Sequence, residues 1–233
     1  MSKPIDKNKV VVITGSGISA PSGIPTFRDS DGLWNNYPIA DVASLDGWNK
    51  NPALVLDFYN QRRIKLTQVL PNAAHYAIAK LEQKYEVVVV TQNVDDLHER
   101  AGSTNVIHLH GELNKARSTV DDTLIYSLNG KSIKLGDICD QGSQLRPHIV
   151  WFGEQVHHYN QACAAVKSAG KVLVVGTSLT VYPAASLLKK ARYHAEKIFI
   201  NLHFEENIKG FKLLKGNAID LVPTIVSRWQ VNL

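Results

Sequence analysis

Short apolar runs rich in valine and isoleucine recur along the chain and alternate with stretches of helical or loop-like pattern. Several of these runs are apolar on both faces, which is typical of strands in a parallel sheet covered by helices. The predicted strands are residues 10–14, 86–92, 106–111, 148–154, 171–177 and 197–201. This alternation predicts an α/β fold with a doubly wound, Rossmann-like parallel sheet.

Three stretches between the runs have the pattern of helices. Residues 51–66 place Leu54, Phe58 and Arg62 four positions apart, so these side chains share one face. Residues 71–85 begin with a proline, which is common in the first turn of a helix. Residues 182–197 are the third predicted helix.

Residues 114–147 break this pattern, because they contain short hairpin-like pieces around "LNGKS" and no long amphipathic helix. We interpret them as part of a small appended module. The chain is predicted to be one domain, residues 1–233. Its large part covers about 8–34, 70–113 and 145–228, and the small module covers about 35–69 and 114–144. The module's core is predicted at Leu124, Ile125, Tyr126, Ile133 and Leu135.

Composition narrows the class of protein. With 233 residues, 44% of them hydrophobic, the chain can bury a full core. No apolar run approaches the roughly 18 residues of a membrane span, and the N-terminus lacks an apolar signal core, so we expect a cytoplasmic protein. Two cysteines fit a reducing compartment. The net charge of +5 is scattered, so no nucleic-acid partner is indicated.

The stretch "VVVITGSGISAPSGIPTFRDSDGLW" begins like a dinucleotide-binding fingerprint. Residues 15–20 fit Gly-x-Gly-x-x-Gly/Ala directly after a strand, where backbone N–H groups can meet a pyrophosphate; a glycine turn that serves only packing is the alternative. No second strand with a terminal acidic residue follows within roughly 20 residues, as it does in oxidoreductases. A loop rich in Gly and Pro follows instead, so the motif indicates a dinucleotide site without hydride transfer.

Five motifs in this order resemble the sirtuins, which are NAD-dependent protein deacylases. They are "GSGISAPSGIPTFR", "TQNVDDLHERAG", "HLHGEL", "RPHIVWFGE" and "VVGTSLTVYPAA", and the resemblance covers roughly residues 9 to 225. The chain is most similar to bacterial sirtuins that remove acidic acyl groups from lysine. The resemblance implies NAD as cofactor, acylated-lysine proteins as substrates, and nicotinamide and O-acyl-ADP-ribose as products.

The resemblance also implies roles for individual residues. Phe27 shields the ribose, Arg28 holds phosphates, Asn93 and Asp95 order the nicotinamide pocket, and His110 is the general base. A strand-end histidine can also be structural, and Asn93 or Asp95 can cap a helix; we favour His110 over His108 as the base. The full set of implied cofactor residues is Gly15, Ser16, Gly17, Ile18, Ser19, Phe27, Arg28, Trp34, Gln92, Asn93, Val94, Asp95, His110, Gly176, Thr177, Ser178, Asn201, Leu202, His203 and Ala218, with Asn93 and His110 catalytic.

Two further segments are implied to bind the substrate. The backbone of the segment containing Val150, Phe152, Gly153 and Glu154 pairs with an extended peptide in sirtuins, although the pattern by itself favours an ordinary buried strand. Tyr59 and Arg62 lie three residues apart on one helix face, and they resemble the pair that binds a succinyl, malonyl or glutaryl carboxylate. A salt bridge or a snorkelling arginine is the alternative for this pair.

The small module departs from the sirtuin pattern. Most sirtuins bind a structural zinc there through two cysteine pairs. This chain has Ser118 and Asp121 in place of the first pair, and only Cys139 in place of the second. One thiolate cannot make a tetrahedral sulfur site, so we expect no zinc.

Two other functions use the same residues. An NAD glycohydrolase or ADP-ribosyltransferase would share the NAD pocket, and a non-catalytic NAD-binding module would keep the fold but lose the chemistry. The joint presence of His110, the segment "VWFGE" and the Tyr59/Arg62 pair favours deacylation.

Overall fold

The strands and helices follow the predicted alternation. A computed structural model describes residues 5–26, 33–34, 37–179, 184–204 and 208–232. The strands are β1 (Asp6–Thr14), β2 (Leu33–Trp34), β3 (Tyr37–Pro38), β4 (Glu86–Thr91), β5 (Val106–His108), β6 (Gly111–Ser118), β7 (Ile125–Ser127), β8 (Leu145–Ile149), β9 (Ala169–Val175), β10 (Glu196–Asn201) and β11 (Lys212–Lys215). The α-helices are α1 (Ile39–Val42), α2 (Leu45–Lys50), α3 (Pro52–Thr67), α4 (Ala73–Lys80), α5 (Leu97–Arg100), α6 (Tyr159–Ser168) and α7 (Ala218–Gln230). Short 3-10 helices are Ser16–Ile18, Ala20–Ser22, Leu81–Gln83 and Ala184–Lys190.

Six parallel strands form the main sheet in the order β11-β10-β9-β1-β4-β5. β1 lies between β4 and β9, so the chain proceeds in one direction from β1 to β5 and in the other from β9 to β11. Ligands bind at such a switch point, beyond the carboxyl ends of the strands. The predicted doubly wound α/β fold is confirmed.

Both faces of the sheet are covered by helices, as the two-sided apolar runs predict. Val12 packs with Ile78 of α4 and Trp229 of α7, while the next residue, Ile13, packs on the other face with Val166 of α6. Successive side chains of a strand point to opposite faces, so a run that is apolar at every position supplies both cores.

Local sequence explains two of the helices and fails for a third. α3 begins after Asn51, whose side chain accepts a hydrogen bond from Leu54 N at 3.1 Å, and α4 has a capping box at Asn72. The predicted helix over residues 182–197 is wrong in its second half. The 3-10 helix ends at Lys190, because the chain must turn to enter β10 at Glu196, beside β9.

The small module contains an antiparallel sheet in the order β7-β6-β8. This sheet includes β8, which the predicted boundaries place with the large part; the division into two parts stays a prediction. The predicted core of the module is right for Ile133, which is buried, and wrong for Ile125 and Leu135, which are 45% and 58% exposed. Ile133 joins the two segments of the predicted module, because its backbone N–H and C=O both bond to the Asn60 side chain of α3.

Within the described ranges, we find no helix that is long and apolar enough to cross a membrane.

Candidate functional site: the carboxyl edge of the parallel sheet

The register of the sheet brings the predicted motifs to one edge. Thr14 at the end of β1 lies opposite Thr91 of β4 and Val175 of β9, and Thr91 lies opposite His108 of β5. Four loops therefore leave the sheet at the same level. They begin at residues 15, 92, 109 and 176, and they contain most of the predicted cofactor residues.

The glycines of the first loop are required by packing against the loop after β9. A Cβ atom on Gly15 would lie 2.7 Å from Thr177 Cβ, and one on Gly17 would lie 2.7 Å from Gly176 Cα. Gly176 itself has a φ of +62°, and its Cβ would lie 2.5 Å from Ile18 N. Both loops therefore need glycine to approach each other.

This packing changes how the loop can hold an anion. Gly15 N donates to Val175 O at 3.1 Å and Gly17 N donates to Gly176 O at 2.8 Å. These two N–H groups are used inside the protein. Gly17 lies within the first of two short 3-10 helices, so the dipole of a long helix does not act here. A diphosphate bound at these loops would therefore need other donors.

The loop after β4 is held by a buried chain of hydrogen bonds. The side-chain amide of Asn93 donates to Ser19 Oγ at 3.1 Å, and Ser19 Oγ donates to Asp95 Oδ2 at 3.0 Å. The other carboxylate oxygen of Asp95 accepts from Leu97 N at 3.2 Å. Burial raises the pKa of Asp95 to about 6, against these hydrogen bonds and the charge of His108. Asn93 and Asp95 therefore have fixed orientations at the predicted nicotinamide pocket.

A second row of hydrogen bonds crosses the sheet edge toward β10. Gln92 Nε2 donates to Thr177 Oγ1 at 2.9 Å, and Asn201 Nδ2 donates to Thr177 O at 3.1 Å and to His203 O at 2.9 Å. Thr177 Oγ1 also accepts from Leu179 N. This row joins the loops that are predicted to hold the two ends of the dinucleotide.

The remaining predicted cofactor residues are distributed around this edge. Val94 accepts a hydrogen bond from Leu113 N, Leu202 is half-exposed, and Ala218 is buried as the first residue of α7. Ser16 and Ser178 lie partly buried in the first and last loops. Phe27 and Arg28 lie outside the described residues, and for Trp34 only the backbone, in β2, is described.

His110 has the hydrogen bonding of a general base. Its Nδ1–H donates to Gln92 O at 3.0 Å, because a carbonyl oxygen can only accept. In the neutral ring Nε2 then carries the lone pair, and this buried atom has no hydrogen-bond partner among the described residues. Burial lowers the pKa of His110, against the bond to Gln92. His110 is therefore neutral at pH 7, with an acceptor atom oriented for a proton.

Two threonines and a histidine beneath the pocket were not predicted. Thr14 Oγ1 donates to Thr91 Oγ1 at 2.9 Å and lies 3.0 Å from His98 Nε2. Thr91 Oγ1 also accepts from Asn93 N. Both threonines are the last residues of valine-rich strands, and this shared position could have predicted that their side chains meet.

Two backbone hydrogen bonds anchor the predicted peptide segment. Val150 N donates to His110 O, and Phe152 N donates to Ala43 O, each at 2.9 Å. The regular strand ends at Ile149, so Val150 through Glu154 are not the continuous strand that the pattern predicts. Gly153 has a φ of +90°, and Phe152 is 52% exposed.

Glu154 lies inside an ionic cluster, and its carboxylate is directed into the protein. It accepts from Arg117 at 2.9 Å, from Arg146 at 2.7 and 3.0 Å, and from Trp151 N at 2.8 Å. Its side chain is 14% exposed and those of the two arginines are each 6% exposed. The side chain of Glu154 therefore stabilises the segment, and any pairing with a peptide would use its backbone.

Tyr59 contacts the same segment, and Arg62 lies three residues later on α3. The hydroxyl of Tyr59, buried on α3, accepts a hydrogen bond from the Trp151 indole at 3.0 Å. The guanidinium of Arg62 stacks 3.2 Å from the ring centre of Phe58 and donates to Phe58 O. Burial lowers the pKa of Arg62 to about 10, so the side chain is cationic at neutral pH. The structure therefore supplies a partly buried positive charge near a tyrosine.

The positions that resemble a zinc site form a hydrogen-bonded cluster. Cys139 Sγ lies 3.4 Å from Ser118 Oγ and 3.1 Å from Ser143 Oγ, and the two hydroxyls are 2.9 Å apart. Asp121 accepts from Thr123 and contributes its N–H to Ser118. One thiol and two hydroxyls bonded to one another do not fit a tetrahedral zinc ion. In the described part of the chain, no three His, Cys, Asp or Glu side chains are grouped as metal ligands.

Comparisons with known proteins agree with this geometry. A Helicobacter pylori protein named NAD-dependent protein deacylase is 50% identical over 223 residues, which are 93% of this chain and 97% of that protein. A Bacteroides thetaiotaomicron protein of the same name is 49% identical over 197 residues, 82% and 84% of the two chains.

Solved structures are similar over nearly the whole chain. A Sir2 homologue in complex with NAD superimposes with a TM-score of 0.85 at 38% identity, covering 97% of this chain and 91% of the other. A Sir2 complex with a p53 peptide and NAD+ has a TM-score of 0.77 at 28% identity, covering 97% and 95%. The family model described as "Sir2 family" matches residues 15–183. This chain therefore belongs to the Sir2 family.

Proposed function

We infer that this protein is an NAD-dependent protein deacylase that removes acyl groups from lysine. The observation that carries this inference is the hydrogen bonding of His110. Its Nδ1 is fixed by Gln92, and its buried Nε2 has no partner in the described part of the chain. This histidine, which we propose as the base, lies at the sheet edge where the NAD motifs converge, in a chain related to named deacylases.

The residues at this edge fit NAD. A buried acceptor without a protein partner suits a sugar hydroxyl, and the close packing of the two glycine loops keeps side chains out of the floor of the site. We propose that Gln92, Asn93 and Asp95 hold the nicotinamide end. The adenosine half would lie along residues 176–178, Asn201–His203 and Ala218.

Each group has a definite task in deacylation. NAD, when bound, supplies a ribose whose bond to nicotinamide can be exchanged for a bond to the acyl oxygen of lysine. Asn93 orients the carboxamide through its side-chain amide, which Ser19 and Asp95 hold in place. His110 Nε2 accepts the proton of a ribose hydroxyl, which makes that oxygen nucleophilic toward the acyl group. Phe27 is proposed to exclude water from the sugar.

We also propose that the acyl group carries a carboxylate. Arg62 is a partly buried cation, and Tyr59, three residues earlier on α3, contributes a hydroxyl. A guanidinium and a hydroxyl suit a succinyl, malonyl or glutaryl group, whereas the methyl of an acetyl group leaves the cation without a matching charge.

The carboxylate pocket is tested by Arg62→Met, with acetyl-lysine peptide as the internal control. A hydrogen bond to a charged group contributes about 1.5–3 kcal/mol, so we expect desuccinylation to fall about tenfold to a hundredfold relative to deacetylation. Tyr59→Phe, which removes one hydroxyl, should shift the ratio in the same direction by less. Equal loss of both activities in Arg62→Met would remove the assignment.

We propose that the small module contains no structural zinc. The Ser118–Cys139–Ser143 hydrogen bonds and the Asn60–Ile133 contacts support this proposal, because they hold the two ends of the module by ordinary polar interactions.

One mass-spectrometric assay separates deacylation from the alternative, an NAD glycohydrolase or ADP-ribosyltransferase. NAD is incubated with succinyl-, malonyl- and acetyl-lysine peptides, and nicotinamide, deacylated peptide and O-acyl-ADP-ribose are measured, with His110→Tyr as the inactive control. Nicotinamide release that requires the acyl peptide supports deacylation. Release without an acyl peptide supports the alternative.

A further inference from the structure

His108 is the first histidine of "HLHG", and it belongs neither to the proposed carboxylate pocket nor to the proposed base, His110. It is the last residue of β5, and its side chain is 8% exposed. His108 Nε2 lies 2.7 Å from Glu99 Oε1, and Nδ1 lies 3.2 Å from Asn93 O. Both partners can only accept hydrogen bonds, so both ring nitrogens must carry a proton. The geometry thus requires a buried imidazolium.

Asp95 on the neighbouring loop requires the opposite charge. Its two carboxylate oxygens accept from Ser19 Oγ and from Leu97 N, and Ser19 Oγ accepts from Asn93 Nδ2. Ionised Asp95 holds the Ser19 hydroxyl proton toward Oδ2, and this directs a lone pair of Ser19 Oγ toward the Asn93 amide. A proton on Asp95 removes the charge that holds the hydroxyl in this orientation. The orientation of the Asn93 amide therefore depends on Asp95 being ionised.

We propose that His108, held by Glu99, is a positioning residue that keeps Asp95 ionised and thereby fixes the Asn93 side chain in the nicotinamide pocket. This role rests on the proposed function. His108 acts from behind the pocket in two ways, through its charge on Asp95 and through its bond to the backbone of Asn93.

The electrostatics of the surrounding groups agree with this role. Burial lowers the pKa of His108, but the hydrogen bond and charge of Glu99 outweigh it and raise the pKa. Burial raises the pKa of Asp95 to about 6, and the charge of His108 opposes this rise. The titratable groups that face His108 or Asp95 are Glu99 and His98 of α5, Glu112 of β6, and Asp96 beside Asp95.

The test compares His108→Gln, which removes the charge, with His108→Lys, which keeps it. An opposite charge nearby favours the ionised form of a carboxyl group, so His108→Gln should raise the pKa of Asp95 above its value of about 6. For a rise of about one pH unit, the ionised fraction at pH 6 falls about fivefold, and at pH 8.5 it is nearly unchanged. We expect the same fivefold loss in kcat/KM for NAD at pH 6, with recovery at pH 8.5.

His108→Lys distinguishes charge from packing. In His108→Lys, kcat/KM below pH 7 should depend on pH nearly as it does in the wild type. If the role of His108 were purely structural, His108→Gln would instead lower kcat/KM by the same factor at every pH. A pH-independent loss, or no loss, in folded His108→Gln would overturn the proposal. Near-UV circular dichroism of each variant checks that it is folded.

A measurement on the wild-type protein tests the proposal without relying on enzyme activity. Nuclear magnetic resonance of 15N-histidine protein should show both ring nitrogens of His108 protonated at pH 7; a neutral ring there would overturn the proposal. Wild-type nicotinamide release that does not depend on acyl peptide would instead overturn the proposed function, and the histidine spectrum would still decide the state of His108.

Discussion

Glu154→Gln is the most informative substitution for the ionic cluster, because Glu154 neutralises two buried arginines. Its carboxylate accepts four hydrogen bonds, three of them from Arg117 and Arg146 and one from Trp151 N. Glutamine keeps the shape but removes the negative charge and leaves two guanidinium groups with an amide oxygen. Removing one partner of a buried ion pair costs about 3–5 kcal/mol, so we expect a loss of that size in the free energy of unfolding.

The assay is urea unfolding at pH 7, with Glu86→Gln as the matched control. Glu86 pairs with Lys9 at 2.6 Å, but its side chain is 54% exposed, so its loss should cost at most about 1 kcal/mol. A loss below about 1 kcal/mol for Glu154→Gln would refute the reasoning, because it would mean that water or the glutamine amide satisfies both arginines.

The pH dependence of unfolding gives a second test of Glu154. Burial raises the pKa of Glu154, but the hydrogen bonds from Arg146 and Trp151 and the two arginine charges outweigh it and lower the pKa below its ordinary value. A carboxyl group with a lowered folded pKa stabilises the fold fully above its unfolded pKa of about 4.3, and this stabilisation is lost as the pH falls through the folded pKa. Below about pH 4.3, the stability of the wild type should therefore fall more steeply than that of Glu154→Gln.

Two further predictions concern the glycine loops and the metal. Gly176→Ala should destabilise the protein by about 1–3 kcal/mol and raise the KM for NAD, because its Cβ would meet Ile18 N at 2.5 Å; Gly130→Ala, at a similar positive φ but with open space around it, controls for backbone strain, and equal losses in both variants would contradict the packing explanation. The purified protein should contain far less than one zinc per chain and keep its melting temperature in EDTA, and stoichiometric zinc measured by plasma mass spectrometry would disprove this prediction.

Local pattern was sufficient for most of the secondary structure. The runs of valine at residues 86–92 and 171–177 are buried on both faces in β4 and β9. Asn51 and Asn72 are the N-caps of α3 and α4. These features depend on burial and on hydrogen bonds between near neighbours, so they can be read from short windows of sequence. The helix predicted over residues 182–197 failed because its end depends on the position of β9.

The order of five motifs was sufficient for the family, and the residues that it implies at 15–19, 92–95 and 176–178 do converge at one sheet edge. The packing and hydrogen-bond partners of each residue there are not set by its neighbours in the sequence. Gly15 and Gly17 pack against Gly176, some 160 positions away, and Glu154 is directed inward by arginines from β6 and β8.

The sequence by itself determined the α/β class, the family and the position of the proposed base at His110, because burial patterns and strand-end motifs are local. Only the tertiary structure decided which hydrogen bonds the polar side chains make. It assigned Glu154 to an ionic cluster, placed Ser118 and Ser143 against Cys139, and joined His108 to Glu99. Such contacts depend on strand register and loop approach, and these are set by the packing of segments distant in sequence.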